Sequence, residues 1–263
     1  MHAARSIGFD SVNMDLIYGL PKQTQASFAT TLAQVARLRP DRIALYAYAH
    51  LPERFKSQRR IDDHALPAAF EKVQMLAQSL QAFSDAGYVY VGMDHFALPH
   101  DALAVAKEQG RLHRNFQGYS TQPDCDLIAL GVSAIGRIGG TYSQNAKTLD
   151  EYYDLIDQGL LPIVRGLALS KDDLIRRAVI MAIMCQGELL FESINNAWLI
   201  DCKQYFAAEF ELLRGQQEEG LVEVLDDCIR VTSKGWFFVR GVALVFDRYL
   251  QAARSRERFS RII

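Results

Sequence analysis

The sequence predicts an α/β protein in two parts. Residues 1–165 read as a short run of parallel strand–helix units, too few to close a barrel. Residues 166–263 read as a small helical, winged-helix-like domain. Three observations predict this. The first hundred residues run strand, helix, strand, helix, strand, the order that gives parallel units with right-handed crossovers. Each of those strands carries one polar face. Near Ser170 the pattern changes to helices followed by a two-stranded hairpin.

The first strand lies in SVNMDLIYGLP, Ser11 to Pro21. Val12, Met14 and Leu16 fall on one side and Asn13, Asp15 and Ile17 on the other, because successive strand side chains face opposite ways. A strand buried on both faces reads as a continuous apolar run. The amide and carboxylate here mark a face that meets a ligand or a solvent-filled cavity. Gly19 and Pro21 stop the strand. Gln23 to Leu38 then repeats Phe28, Leu32, Val35 and Leu38 at helical intervals, up to Pro40. In RIALYAYAH, Arg42 to His50, Ile43, Leu45, Ala47 and Ala49 share one face, and Tyr46, Tyr48 and His50 the other.

Pro52 to Asp63 is charged and aperiodic, a surface loop. Pro67 to Ala86 predicts a helix with Phe70, Val73, Leu80 and Phe83 inward and Gly87 at its C-terminal cap. A third strand, Tyr88 to Met93, runs into Asp94-His95-Phe96, and Asp101 to Gln109 forms a short helix. Arg114 to Thr121 and Asp126 to Gly140 are extended and punctuated by glycine. Ser170-Lys171-Asp172-Asp173 has the form of a capping box, opening a helix to about Cys185. A helix over 203–219, a hairpin over Leu221 to Val231 turning at Asp226-Asp227, and a last helix capped by Thr232 complete the second part.

Composition excludes several classes. The chain has 263 residues, is 49% hydrophobic and carries a net charge of −2 with both signs interspersed, so no overall field favours nucleic acid or an anionic membrane. No apolar run approaches the ~20 residues of a membrane-crossing helix, and no signal peptide is evident, which leads to the expectation of a cytoplasmic protein. The four cysteines, Cys125, Cys185, Cys202 and Cys228, lie far apart and read as reduced thiols. None sits at a spacing from which a metal or cluster site can be built locally.

Three strands beginning about ten residues from the N-terminus leave one long edge unpaired, and an exposed edge is an aggregation liability. The expectation is therefore the back half of a larger α/β enzyme. Ligands of parallel α/β folds sit at the carboxyl ends of strands, where Asp15, Ala49-His50 and Asp94-His95 are expected.

Several long words, in order along the chain, resemble those of the oxygen-independent coproporphyrinogen III oxidase family. They are DLIYGLPKQT, YAYAHLPERFKSQRRI, AGYVYVGMDHFALP, LHRNFQGYST, DLIALGVSAIG and the terminal FSRII. The resemblance implies the C-terminal part of a partial (β/α) TIM-like barrel of about six units, with a helical domain after it. It implies a radical S-adenosylmethionine (SAM) oxidoreductase of haem biosynthesis that converts coproporphyrinogen III to protoporphyrinogen IX. A SAM-derived 5′-deoxyadenosyl radical takes a propionate β-hydrogen, and loss of CO₂ and an electron leaves a vinyl group. The full-length enzyme would use two SAM molecules and a [4Fe–4S] cluster. The family's cluster-binding cysteines, SAM-contacting glycine pair and catalytic Tyr and Glu would all precede Met1, so this chain is expected to hold no cluster and to be inactive alone. A monomer served by an electron donor, with no nucleic-acid or membrane partner, is implied.

The resemblance assigns residues. Asp15 matches a carboxylate at the second SAM, where an acid can accept two ribose hydroxyls. Unaided, a helix-capping or ion-paired role is the commoner fate of a strand-end Asp; Asn13 beside it on the same face, with the family match, favours the ligand. Ala49 matches another contact to that SAM, and Ile135 a position at the first; core packing is the plain alternative for both. Phe116 and Gln117 match active-site positions, Phe offering a stacking face and Gln both donors and acceptors. The substrate bears four propionates, and Arg binds carboxylates bidentately, so Arg111, Arg114 and Arg137 are candidate substrate ligands. His95 and His113 lack a third metal ligand at a sensible spacing, which favours structural roles; His50 has the same ambiguity. The basic tail Arg254, Arg256, Arg258 and Arg261 reads as a solvated helix end.

Three rivals stand beside this reading. A haem-binding, haem-trafficking relative on the same fold would show an HNxxYW word where this chain has HRNFQGYS. A winged-helix interaction module for nucleic acid or protein would need a basic recognition helix, but the candidate helices carry Asp172, Asp173, Glu209 and Glu211. A metal-dependent hydrolase would rest on Asp94 and His95 alone.

Overall fold

A computed structural model describes residues 1–253; the tail arginines and the FSRII word lie outside the described residues. The chain divides into two compact units. Of the described residues, the first comprises 1–110 with 236–241 and 249–253; the second comprises 111–235 with 242–248.

In the first unit, helix α1 (His2–Ile7) precedes β1 (Asn13–Tyr18), α2 (Gln25–Leu38), β2 (Arg42–Ala47), α3 (Ala69–Asp85), β3 (Val89–Gly92), β4 (His95–Ala97) and α4 (Ala102–Glu108). β1 alternates as its residues dictate: Asn13, Asp15 and Ile17 are exposed, while Met14, Leu16 and Tyr18 pack on the core. That core joins Phe28, Leu32 and Val35 of α2 to Ile43 and Leu45 of β2 and to Met75 and Phe83 of α3. Truncating any of the larger members would cost about 2–5 kcal/mol. α2 begins with a capping box in which Thr24 Oγ1 accepts from Ser27 N at 3.1 Å and Ser27 Oγ from Thr24 N at 3.0 Å. Two buried carboxylates pin the sheet's amino end. Asp41 Oδ2 accepts from Val12 N at 2.6 Å and from Arg5 at 2.6 Å. Asp101 caps α4 through Leu103 N and takes the Arg42 guanidinium at 2.9 Å.

The sheet order is β1-β2-β4-β3. β1 and β2 pair in parallel, but β4 is inserted between β2 and β3 and runs antiparallel to both. The expected uninterrupted parallel run is corrected here. The turn at Met93-Asp94 folds the third strand back on itself, Met93 holding φ 50° after Gly92 at φ 149°. Asp94 thus sits in a turn and His95 opens β4, so the two do not share a strand end. Asp15 lies midway along β1 rather than at its carboxyl end, whereas Ala49 lies two residues beyond the carboxyl end of β2. The inward stripe of α3 is Met75, Ser79 and Phe83; Phe70 and Val73, expected inside, are 65% and 45% exposed. The loop after β2 contains 3₁₀ turns at Lys56–Arg60 and Asp63–Ala65.

The second unit holds three small antiparallel sheets and a helical part. β5 (His113–Asn115) and β6 (Gly118–Ser120) form a hairpin. β7 (Ile135–Ile138), β8 (Thr141–Asn145) and, after α5 (Leu149–Asp157), β9 (Ile163–Ala168) form an antiparallel three-stranded sheet. α6 (Lys171–Gln186) starts with the expected box, Asp173 Oδ2 accepting from Ser170 N at 2.9 Å. β10 (Glu188–Leu190), α7 (Phe191–Trp198), α8 (Cys202–Tyr205), α9 (Ala207–Glu218), β11 (Val222–Val224) and β12 (Cys228–Val231) follow. The hairpin of β11 and β12 forms as read from the sequence, with β10 added on the far side of β12. The helix expected over 203–219 is two helices that meet at Phe206, a fully buried side chain. The expected last helix is likewise broken, into a 3₁₀ turn (Gly235–Phe238), α10 (Val239–Ala243), a second 3₁₀ turn (Leu244–Phe246) and α11 (Arg248–Ala253). Val239, Val242, Ala243 and Phe246 are all buried, so the apolar stripe read at helical spacing is kept although the helix is interrupted.

Candidate functional site

The sequence-derived residues fall into two groups, one in each unit. In the first, strand register builds a polar sheet face. Asp15 pairs with Ala44, Ile17 with Tyr46, and Ala44 on its other side with His95. Paired residues point the same way, so Asp15, Ile17, Tyr46 and His95 share the face opposite the core. Asn13 Nδ2 donates to Asp15 Oδ1 at 2.6 Å, fixing the carboxylate on the strand. Tyr46 and His95 meet edge to face at 6.3 Å. Among the described residues β1 pairs with β2 alone, so the strand bearing Asp15 is the sheet's border.

Beyond the strands, glutamines staple the loops. Gln23 Oε1 accepts from Gly19 N at 2.6 Å, where Gly19 adopts φ 80°. Gln58 Nε2 donates to the Ala49 carbonyl at 3.0 Å while its Oε1 accepts from Leu51 N. The Ala49 carbonyl is therefore already engaged. His50 is held between Asp63, at 2.9 Å, and the Tyr48 hydroxyl, at 3.4 Å, which explains it structurally. A hollow of about 460 Å³ opens beside it, lined by Gln58, Arg59 and His64 among others; neither Asp15 nor Ala49 lines it. Burial, with the charge of Asp94, pushes the Tyr18 hydroxyl up to about 12.

In the second unit Phe116 and Gln117 form the tip of the β5–β6 hairpin. Gln117 N donates to Asn115 Oδ1 at 2.8 Å, and Phe116 is 55% exposed with its ring edge-on to Tyr142 at 5.2 Å. Ile135 opens β7, opposite Gln144, and Arg137 pairs across the ladder with Tyr142. Tyr142 thus meets Phe116 and Arg137, with Ile135 two residues before Arg137 on the same strand face. Arg114 lies over the Tyr119 ring at 4.8 Å, while Arg111 is exposed and precedes β5.

Sequence reasoning missed three residues here: Asp124, Tyr142 and Arg177. Arg177 of α6 binds Asp124 through both terminal nitrogens, at 2.8 and 2.7 Å, and donates from Nε to the Tyr142 hydroxyl at 3.1 Å. Arg137 reaches the same carboxylate at 2.6 Å and the Cys125 carbonyl at 2.8 Å. Burial raises the Asp124 carboxyl, but the Arg177 hydrogen bonds and the charges of Arg177, Arg137 and His113 outweigh it and hold the group below the usual carboxylate range. The paired Arg176-Arg177 on an otherwise apolar helical stretch was the available signal.

The cysteines do not fit an iron–sulfur cluster. Cys125 is exposed and the other three are buried. Burial pushes the Cys185 thiol up to about 12 and the Cys202 thiol up to about 11, and raises Cys228 as well. A cluster needs thiolates gathered together, and among the described residues no three metal-ligating side chains converge. Among them, too, no helix is long and apolar enough to cross a membrane.

Comparison with known proteins gives a consistent set of likenesses. A family model described as the HemN C-terminal domain matches residues 169–238. The oxygen-independent coproporphyrinogen III oxidase of Salmonella typhimurium is 47% identical over 263 residues, covering 100% of this chain and 58% of the relative. The enzyme of the same name from Pseudomonas aeruginosa is 49% identical and is covered to 57%. That from Thermostichus vulcanus is 42% identical, with 100% of this chain and 81% of the relative covered. A solved structure of coproporphyrinogen III oxidase (HemN) from Escherichia coli, described as a radical SAM enzyme, superposes with a TM-score of 0.92 at 48% identity. The match spans 94% of this chain and 57% of that one. The chain thus spans a little over half the length of most of these relatives.

Proposed function

The chain belongs to the oxygen-independent coproporphyrinogen III oxidase family, and from that premise we propose that it contributes SAM- and substrate-binding surface to the oxidative decarboxylation of coproporphyrinogen III. The observation that carries the reading is the agreement with the Escherichia coli structure at a TM-score of 0.92 and 48% identity. Neither the haem-trafficking nor the interaction-module reading gains a comparable observation.

In this proposal residues 1–165 are the trailing part of a partial TIM-like barrel and 166–263 a winged-helix-like domain. The family-model match over 169–238 supports a boundary near residue 165. Two SAM molecules serve the complete enzyme. When bound, SAM supplies the 5′-deoxyadenosyl group that takes the propionate hydrogen. Since the described cysteines do not suit a cluster, the part assigned to this chain is binding and orientation. Asp15 accepts the ribose hydroxyls of one SAM, with Asn13 fixing its rotamer and Ala49 presenting backbone. Ile135 packs against the other SAM. Phe116 and Gln117 face the reacting tetrapyrrole, and Arg111, Arg114 and Arg137 take propionates. An electron donor, a monomeric state, a cytoplasmic setting and the lack of nucleic-acid or membrane partners belong to the same proposal.

A chimaera tests it. This chain replaces the matching part of the Salmonella typhimurium relative, and protoporphyrin fluorescence reports product after oxidation. Product formation at a rate near the parent's is the expected result. A folded chimaera that binds SAM yet forms no product overturns the reading.

A further inference from the structure

The arginine cluster of the second unit contains a carboxylate that the chain itself supplies. Arg177 grips Asp124 bidentately, Arg137 adds a bond at 2.6 Å, and Tyr142 fixes the Arg177 Nε at 3.1 Å. This is the geometry by which guanidinium groups recognise carboxylates. The arginines are held rigidly, at 13% and 22% side-chain exposure, whereas the Asp124 side chain is 50% exposed on a loop after Pro123. Its neighbour Asp126 is engaged elsewhere, accepting from Gly139 N at 2.7 Å. Arg114, on the hairpin that carries Phe116, lies over the Tyr119 ring and, like Arg177, brings positive charge to the Cys185 thiol. Its Nη1 is buried and has no hydrogen-bond partner among the described residues. Buried donors are costly to leave unpaired. Two guanidinium groups thus share the one Asp124 carboxylate, and Arg114 nearby has a buried donor to spare.

We propose that Asp124 is an internal stand-in for a substrate carboxylate: the fork of Arg137, Arg177 and Tyr142 takes a propionate by exchange with Asp124. Arg114 supplies a donor to a second carboxylate. Arg137 and Arg177 thereby become binding residues for a polycarboxylate tetrapyrrole, Tyr142 a positioning residue that acts through Arg177, and Asp124 sets the affinity by competition. The exchange keeps the arginines paired throughout, so they stay extended and oriented whichever carboxylate they hold. This inference rests on the propionate-binding reading of Arg114 and Arg137 and adds a resident competitor to it.

The test is fluorescence titration of the chain with coproporphyrin III, the stable oxidised tetracarboxylate, and with its uncharged tetramethyl ester. Circular dichroism melts accompany each variant. Asp124→Asn is expected to bind coproporphyrin III several-fold tighter. Arg177→Lys, which keeps the charge and loses the fork, is expected to bind it about tenfold more weakly. The ester should bind all forms alike. A wild-type chain that binds coproporphyrin III, with Arg114→Ala and Arg137→Ala weaker but Asp124→Asn no tighter, overturns the inference alone. A folded wild-type chain that does not bind coproporphyrin III overturns both the inference and the reading beneath it. Should Asp124→Asn fail to fold, Arg177→Lys decides, and unchanged affinity overturns the proposal.

Discussion

Lys107 holds its ammonium 4.0 Å from the centre of the Trp236 indole and donates to the Tyr90 carbonyl at 2.6 Å. Burial lowers its pKa from 10.5 to about 8, while the cation–π contact works the other way, favouring the charged form. With the folded value below the unfolded one, the unfolded chain binds the extra proton between pH 8 and 10.5, so stability rises with pH across that window. After allowance for solvent screening of a partly exposed group, the rise from pH 7 to 9 is about 0.5–1 kcal/mol. Lys107→Met should abolish it. Urea unfolding of both proteins at pH 7, 8 and 9 checks this, and a constant difference between them would refute the assignment. The raised thiols lose stability with opposite sign above pH 9, equally in both proteins.

Thiol chemistry should divide the cysteines one against three. Cys125 is exposed, and the other three are buried with raised pKa values, so the reactive thiolate is disfavoured in those three. An aromatic disulfide reagent is expected to titrate Cys125 alone in the native chain and all four thiols in guanidinium chloride. Fast reaction of a second thiol in the native state would contradict the packing described.

Two glycines should respond oppositely to alanine. A Cβ on Gly235 would lie 1.8 Å from the Leu221 carbonyl oxygen, a backbone atom beside the β11–β12 hairpin. Overpacking of that kind costs about 1–3 kcal/mol. Gly215, inside α9, has nothing within 4 Å of its Cβ position, and Gly→Ala within a helix gains about 1 kcal/mol. Thermal melts should therefore move down for Gly235→Ala and up for Gly215→Ala. A Gly235→Ala melt that does not fall would show that the Gly235 approach is not tight, and a Gly215→Ala melt that falls would contradict the open helix position.

Features fixed by neighbouring residues were legible in the sequence. The alternation of β1, the Ser170–Asp173 box and the hairpin turning at Asp226-Asp227 each depend on a few adjacent side chains. The insertion of β4 was not legible, because its turn relies on Met93 in a left-handed conformation, without the Asn-Gly or Gly-Gly signature of such turns. The stripe of α3 was misread because Phe70 and Val73 fit helical spacing yet fall before the part of the helix that meets the core. Between Asn145 and Leu169 the sequence offered short segments whose pairing is decided across the β7–β9 sheet. At the candidate site Asp15 stood out through its place on a polar strand face. Asp124 and Arg177 are 53 residues apart and meet only in the folded chain.

The central claim is that the exposed face of β1 binds a nucleoside through Asp15. Calorimetric titration of the chain with SAM, wild type against Asp15→Ala, tests it most directly. The side chain is exposed and bonded to Asn13, so the fold should survive the change with an unaltered melt. The account predicts about tenfold weaker binding or more, the loss of hydrogen bonds to a charged acceptor. Equal affinity in the two proteins, or no SAM binding by the folded wild-type chain, would contradict it.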